Sequence, residues 1–301
     1  MQSKLMVFLL TGGILLAILL GAALPQNAER AQPGSRMERA APTRPQRIVS
    51  MSPGNTEILF ALSAGDRVVG VTSYSDYPEE AKSKPSIGGY HAPDVEKIVA
   101  LAPDIVFAMG EIQATYIKVL QQAGIPVVSV EPKTLPEILT AIGVISEAIG
   151  EKERGEVLRA SLARQLDEVR RSTARVPPKR VFLEVWDAPL LTVGNRSFIN
   201  DIISQAGGVN VAAGRNVDYT PCDIETLYAY NPDVYIVISH SRDDSRSLIY
   251  QPELEDIAAV KNRQVFQMVD DLVARPGPRS FTGLAEMAAI LHPETKHGET
   301  K

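Results

Sequence analysis

An α/β fold is predicted by this sequence: two similar parallel-sheet lobes joined by one long α-helix, with a ligand cleft between them. Three observations lead there. First, one phrase occurs twice. Asp94-Val95-Glu96-Lys97-Ile98-Val99-Ala100-Leu101-Ala102-Pro103-Asp104-Ile105 returns as Asp223-Ile224-Glu225-Thr226-Leu227-Tyr228-Ala229-Tyr230-Asn231-Pro232-Asp233-Val234, with Asp, Glu, Ala, Pro and Asp in register. Second, short apolar runs alternate with helical patterns over short connections around each copy, the mark of a parallel sheet. Third, Val157, Leu158, Leu162, Leu166 and Val169 recur at helical spacing across Glu151 to Ser172. Acidic residues open that stretch and Arg170-Arg171 close it, as the helix dipole favours. Such a helix reaches roughly 33 Å, and one stiff rod between two lobes implies a largely preformed cleft. Two copies are too few for a solenoid.

The composition agrees. With 301 residues, 45% of them hydrophobic, the chain can bury one large core or two moderate ones. A net charge of −5 and a pI near 5.5 argue against a nucleic-acid partner, which needs a basic face. The single cysteine, Cys222, excludes an intrachain disulfide and a Cys-based zinc cluster.

Taken in order, residues 1–24 read as a signal peptide or N-terminal membrane anchor. Leu5 to Leu24 is unbroken and apolar behind Lys4, and Gly21, Ala22 and Ala23 suit a signal peptidase. With no cysteine nearby it is not a lipoprotein anchor, and either reading exports the rest. Residues 25–46 form a Pro-, Ala- and Arg-rich disordered linker. The N-terminal lobe, 47–133, begins with a strand from Ile48 to Met51 and a turn at Ser52-Pro53-Gly54. A helix capped at Asn55-Thr56 runs to Ser63 and is closed by Gly65. A strand at Val68–Val71, the loops Thr72–Pro78 and Ile87–Pro93, and the first repeat helix follow; that helix ends ahead of Pro103. Strands at Ile105–Met109 and Pro126–Val130 flank a helix over Thr115–Ala123. Residues 134–176 are the connecting helical segment.

The C-terminal lobe, 177–292, echoes this order. It has a strand at Val181–Val185, a loop at Trp186–Arg196 and a helix at Phe198–Gln205 closed by Gly207-Gly208. The loop Arg215–Pro221 precedes the second repeat helix. A strand at 234–238, a helix over Pro252–Ala258, a strand at Gln264–Met268 and a helix over Ser280–Leu291 complete it. Residues 293–301 are a disordered tail.

In open α/β sheets, ligands bind beyond the carboxyl ends of the strands. The loops there carry Trp186, several tyrosines, His91, His240 and the Pro-locked pair Arg275-Pro276-Gly277-Pro278-Arg279. Aromatic rings give flat, rigid contact area to a large hydrophobic or macrocyclic ligand. Trp186 stands out because it sits in a polar loop directly after an apolar strand. Loop histidines are most often solvated, so metal ligation by His91 or His240 is the lesser reading. Cys222 reads as a small buried residue and Arg279 as structural, which leaves Arg275 freer to meet a ligand. No GxSxG, HExxH, P-loop or dinucleotide turn is present. With no nucleophile–base pair visible, the architecture points to binding without catalysis, and to no cofactor.

The segments Ile48-Val49-Ser50-Met51-Ser52-Pro53-Gly54-Asn55-Thr56-Glu57, Val69-Gly70-Val71-Thr72-Ser73-Tyr74-Ser75-Asp76-Tyr77-Pro78, Ile87-Gly88-Gly89 and Arg275–Arg279 together resemble the helical-backbone periplasmic binding proteins of ABC importers. The likeness covers about Arg47 to Leu291, and the Ser-Tyr-Ser-Asp-Tyr-Pro loop is most similar to the vitamin B12-binding branch. The resemblance implies a monomer that captures a corrinoid and delivers it to a dimeric permease. It places Pro53, Gly54, Tyr74, Tyr90, Trp186, Tyr219, Asp271 and Arg275 around the ligand, and Glu96 and Glu225 as permease-docking glutamates. One departure stands out: B12 binders use several tryptophans, whereas this chain has one, with Tyr90 and Tyr219 where larger rings would stand. The same fold also carries haem binders, for which Tyr90, His91 or His240 would be the axial ligand. It carries ferric-siderophore binders too, which would use Arg275 and Arg215.

Overall fold

The computed structural model describes residues 43–239 and 252–294, apart from the side chain of Glu253. The expectations for the N-terminal segment, for most of the linker, for His240 and for the end of the tail lie outside the described residues.

In the first lobe, β1 (Ile48–Ser50) is wholly buried and leads through the cap Ser52 into α1 (Pro53–Ala61). Ser52 Oγ accepts from the Asn55 N–H at 3.3 Å, and Pro53 fills the first helical position, where a missing N–H is harmless. The helix therefore starts earlier than Asn55. It is terminated by Ser63 at φ 58°, not by Gly65, which opens a short 3₁₀ turn. Then come β2 (Val68–Val71), α2 (Val95–Ala100), β3 (Ile105–Ala108), α3 (Ala114–Gln122) and β4 (Val127–Ser129). The strands lie in the order β2-β1-β3-β4, all parallel.

The expected long helix is present as α5 (Lys152–Thr173). An additional helix, α4 (Leu135–Ala148), precedes and packs along it. Gly155 makes this possible: a Cβ there would stand 2.1 Å from Ser146 Oγ. Among the described residues no helix is long and apolar enough to cross a membrane.

The second lobe contains β5 (Lys179–Asp187), β6 (Leu190–Val193), α6 (Phe198–Gln205), β7 (Gly208–Asn210), β8 (Tyr219–Pro221), α7 (Ile224–Tyr230), β9 (Val234–Ser239), α8 (Ala258–Lys261), β10 (Val265–Val269), α9 (Asp271–Ala274) and α10 (Ser280–Leu291). Its sheet is mixed. The lower half of β5 pairs in parallel with β7 and β9, and β9 with β10, so β7-β5-β9-β10 repeats the order of the first lobe. The upper half of β5 turns instead into an antiparallel ladder with β6, and β6 pairs with β8. The expected loop from Trp186 to Arg196 is thus largely a hairpin, and Trp186 belongs to a strand.

The repeated phrase is repeated in its hydrogen bonds. Asp94 and Asp223 are the N-caps of α2 and α7, accepting from Lys97 N–H at 3.1 Å and Thr226 N–H at 2.7 Å. The backbone bond from Lys97 to Asp94, and the side-chain and then backbone bonds from Thr226 to Asp223, hold both carboxyls below the usual range. Ala102 and Asn231 both take left-handed φ, 43° and 38°, and turn the chain into its proline. Asp104 Oδ2 then accepts from Arg47 N–H at 3.0 Å, as Asp233 Oδ2 does from Arg180 N–H at 2.9 Å. Each aspartate ties its strand to the first strand of its lobe.

One apolar core crosses the molecule. It runs from Ile48 and Phe107 through Ile142 and Ile145 of α4 and Leu162 and Leu166 of α5 to Val181, Ile236 and Phe281. Smaller clusters cover the outer face of each sheet. The lobes therefore share a core on the helical side and part only at the cleft.

Candidate functional site

The carboxyl ends of the two sheets face a cleft of about 440 Å³, within the range of small-molecule sites. Its lining includes Ser52, Pro53, Gly54 and Asn55 at the head of α1, Tyr74, Tyr90 and His91 from the first lobe, and Tyr219 and Phe198 from the second. Arg275 and Pro276 lie where the lobes meet. A wider groove of about 820 Å³ opens beside α1. It lies away from the strand ends, so the smaller cleft is the candidate site.

Buried polar groups hold the cleft loops. Ser50 Oγ, Thr56 Oγ1, Ser75 Oγ and Thr72 Oγ1 form a hydroxyl chain with links of 2.8 to 3.1 Å, joining the turn after β1 to the loop after β2. Gln113, which the sequence does not single out, is fully buried and serves three loops. Its Nε2 donates to Met51 O at 2.8 Å and Tyr90 O at 2.7 Å, and its Oε1 accepts from Met109 N–H at 2.7 Å. A lone Gln in a loop gives no sequence signal of this kind.

The rings cluster on the first lobe. Tyr74 meets Tyr90 edge-on with centroids 5.9 Å apart, a geometry that aromatic pairs favour, and His91 lies tilted against Tyr90 at 3.9 Å. Burial, reinforced by Tyr74, pushes the Tyr90 hydroxyl above its ordinary pKa. Tyr219 is also raised, chiefly by desolvation at the cleft wall, although half of its surface meets solvent.

A charged chain bridges the lobes beneath Arg275. Arg275 Nε bonds to Asp271 at 2.7 Å, and its Nη1 bonds to Asp76 of the opposite lobe. Arg279 Nη2 reaches Glu57 on α1 at 2.7 Å and Asp271 at 3.3 Å, and its guanidinium lies 4.0 Å over the Tyr77 ring. Desolvation raises the Glu57 carboxyl despite Arg279, and raises Asp271 despite Arg275. At Asp76 partial burial opposes ionisation, but the bond from Arg275 outweighs it and the pKa falls. Arg279 stands at the N-cap of α10 but makes no side-chain cap bond there; its guanidinium is instead a cross-lobe tie. Beside it the backbones touch: a Cβ on Gly54 would sit 2.1 Å from Pro276 O. Only glycine permits that approach.

Of the eight residues that the sequence places around a ligand, Pro53, Gly54, Tyr74, Tyr90, Tyr219 and Arg275 line the cleft, while Trp186 and Asp271 do not. Trp186 ends β5 opposite Leu191, is 60% exposed and donates from Nε1 to Ala188 O at 3.0 Å. Asp271 stands behind Arg275 as its partner. His91 is on the rim, and Arg215 is outside the lining. Cys222 is half-buried, and burial pushes its thiol up to about 11. No group of metal-binding side chains occurs among the described residues. Glu96 and Glu225 lie in the first turns of α2 and α7, both exposed.

Comparison with known proteins matches residues 48–272 to the periplasmic binding protein family. An uncharacterized ABC transporter substrate-binding lipoprotein of Bacillus subtilis is 32% identical over 259 residues, covering 83% of this chain and 81% of that protein. A vitamin B12-binding protein of Vibrio cholerae is 29% identical over 254 residues, covering 84% and 91%. Among solved structures, the periplasmic vitamin B12-binding protein of Vibrio cholerae superposes with a TM-score of 0.77 at 28% identity, over 85% of this chain and all of that one. A periplasmic haem-binding protein of Roseiflexus in apo form gives 0.74 at 28%, over 83% and 99%.

Proposed function

We propose that this chain, which belongs to the periplasmic binding protein family and is a substrate-binding protein of an ABC transporter, captures a corrinoid outside the cytoplasmic membrane and presents it to a dimeric permease. The observation that carries the reading is the aromatic cleft. Tyr74, Tyr90 and His91 of one lobe and Tyr219 of the other line one space whose floor is held by the Gly54–Pro276 contact. Such walls suit a broad, flat macrocycle, and binding costs less when a site needs no rearrangement. The B12-binding relatives support the same choice.

Haem is the second reading, favoured by the Tyr90–His91 pair on the cleft wall and by the haem-binding neighbour. Burial raises the Tyr90 hydroxyl above its ordinary pKa, which adds to the cost of the phenolate that iron ligation requires. The test is retention after desalting, read by absorbance, with cyanocobalamin, dicyanocobinamide, haemin or a ferric siderophore. One corrinoid per monomer is expected. Tyr219→Ala should weaken it by about 1–3 kcal/mol, as for a buried aromatic anchor, and Trp186→Ala by less. Haemin retained while both corrinoids wash away would reverse the assignment.

A further inference from the structure

Three cations line the cleft among the described residues, and each meets a carboxylate. Lys133 Nζ is 2.5 Å from Glu131 Oε1, Arg196 Nε is 3.9 Å from Asp218 Oδ1, and Arg275 lies between Asp271 and Asp76. Glu131 is also fixed by the chain, since its Oε2 accepts from Glu111 N–H at 3.1 Å. Among the described lining residues Lys133, Arg196 and Arg275 are balanced by Glu131, Asp218 and Asp270. Asp76 and Asp271, behind Arg275, turn the neighbourhood negative.

We infer that these pairs make the cleft a charge filter that rejects anionic ligands and admits an uncharged, amide-bearing one, with Glu131 and Asp218 as the specificity-determining residues. The inference rests on the reading of the cleft as the ligand site and narrows its substrate class. Among the described residues a ligand carboxylate or catecholate entering here meets no cation that lacks a carboxylate of its own, so it must displace one or lie beside it. Like charges brought together are a standard device of exclusion. Amides carry both a donor and an acceptor, and they can bond to either member of a pair without parting it. A corrinoid bears peripheral amides, whereas haem bears two propionates and ferric tris-catecholates are anionic.

The experiment compares wild type with the double variant Glu131→Gln and Asp218→Asn. The new amide at position 131 keeps an acceptor for Glu111 N–H, while Lys133 and Arg196 lose their counter-charges. The readout is the ratio of affinities for haemin and dicyanocobinamide, by fluorescence quenching at low and high salt. Wild type should prefer dicyanocobinamide. The double variant should move the ratio at least about tenfold towards haemin, and high salt should erase the gain because it screens exposed charges. Adding Lys133→Gln and Arg196→Gln should return the ratio. Where the wild type binds both ligands, a preference for haemin overturns the filter, as does a ratio that does not move or a gain that survives removal of both cations. If neither corrinoid binds but haemin affinity rises in the double variant and falls again with the cations removed, the filter stands and the corrinoid assignment falls.

Discussion

Arg279, at the head of the last helix, donates to Glu57 on the first helix at 2.7 Å and so joins the lobes through two groups distant in the chain. Glu57 is almost wholly buried, and one of its oxygens has no hydrogen-bond partner. Breaking such a pair on one side strands the other charge, while replacing both sides with apolar groups costs far less. Arg279→Met should therefore lower unfolding stability by about 3 kcal/mol, the low end for a buried pair, because Arg279 keeps some solvent contact. Glu57→Leu with Arg279→Met should recover most of that loss. Urea unfolding of the single and double variants decides it, and additive losses would show that the two residues are not coupled.

The same pair gives stability a pH signature. Burial raises Glu57 above its ordinary 4.5 in the folded state, so the folded protein binds this proton more tightly than the unfolded chain. The stabilisation is present below the unfolded value and is lost as pH rises through the folded one. Asp271 acts in the same sense, and Asp76, with a lowered pKa, in the opposite one. Glu57→Gln should make the slope of unfolding free energy against pH more positive just above 4.5. Denaturant melts across mildly acidic buffers measure it; an unchanged slope would place the proton elsewhere.

Gln113 should behave as the keystone of the cleft loops. In Gln113→Leu two carbonyls and one N–H lose their partner, each unsatisfied buried group costing about 1–3 kcal/mol. Partial rescue by water makes a total of about 3 kcal/mol the expected loss of stability. Ligand affinity should fall as well, because Tyr90 loses the bond at its carbonyl. Gln113→Glu keeps the acceptor for Met109 but not the donors, and should fall between. Denaturant melts and ligand titrations on the two variants measure both effects.

Glu96 and Glu225 should matter to transport and not to capture. Each lies on an exposed helix face beside apolar neighbours, Val99 and Ala100 on one and Tyr228 and Ala229 on the other. An acid in a first turn is worth only about 0.3–1 kcal/mol to its helix, and the caps Asp94 and Asp223 already serve that end. Glu96→Ala with Glu225→Ala should leave ligand retention intact while reducing ligand-stimulated ATP hydrolysis by the reconstituted permease, at about 2 kcal/mol of docking energy per site. Transport at the wild-type rate would leave both as helix-end acids only.

Much of the fold is legible in the sequence because its signals are local. Asp94 and Asp223 announce their helices by capping chemistry, and Pro103 and Pro232 announce where those helices stop. The two sheets follow from apolar runs spaced by helices. What stays hidden depends on distant partners. Trp186 reads as a loop residue because polar Asp187 and Pro189 interrupt the pattern, and only pairing with Leu191 makes that stretch a hairpin. Arg279 and Glu57 carry no mutual signal across 222 positions. Helix α4 buries Leu135, Ile138, Ala141, Ile142 and Ile145, but that face is matched by α5 and the lobes, partners that no local pattern names.

The shared core and the ties beneath Arg275 also bear on how a partner learns that the cleft is full. A vessel whose two walls are bolted together keeps the same outline laden or empty, so its outline is a poor messenger. If Glu96 and Glu225 dock the permease, their spacing would gauge the carrier and not its cargo. News of the cargo has to come from whatever stands above the rim, where Tyr74 and Tyr219 are already half in water.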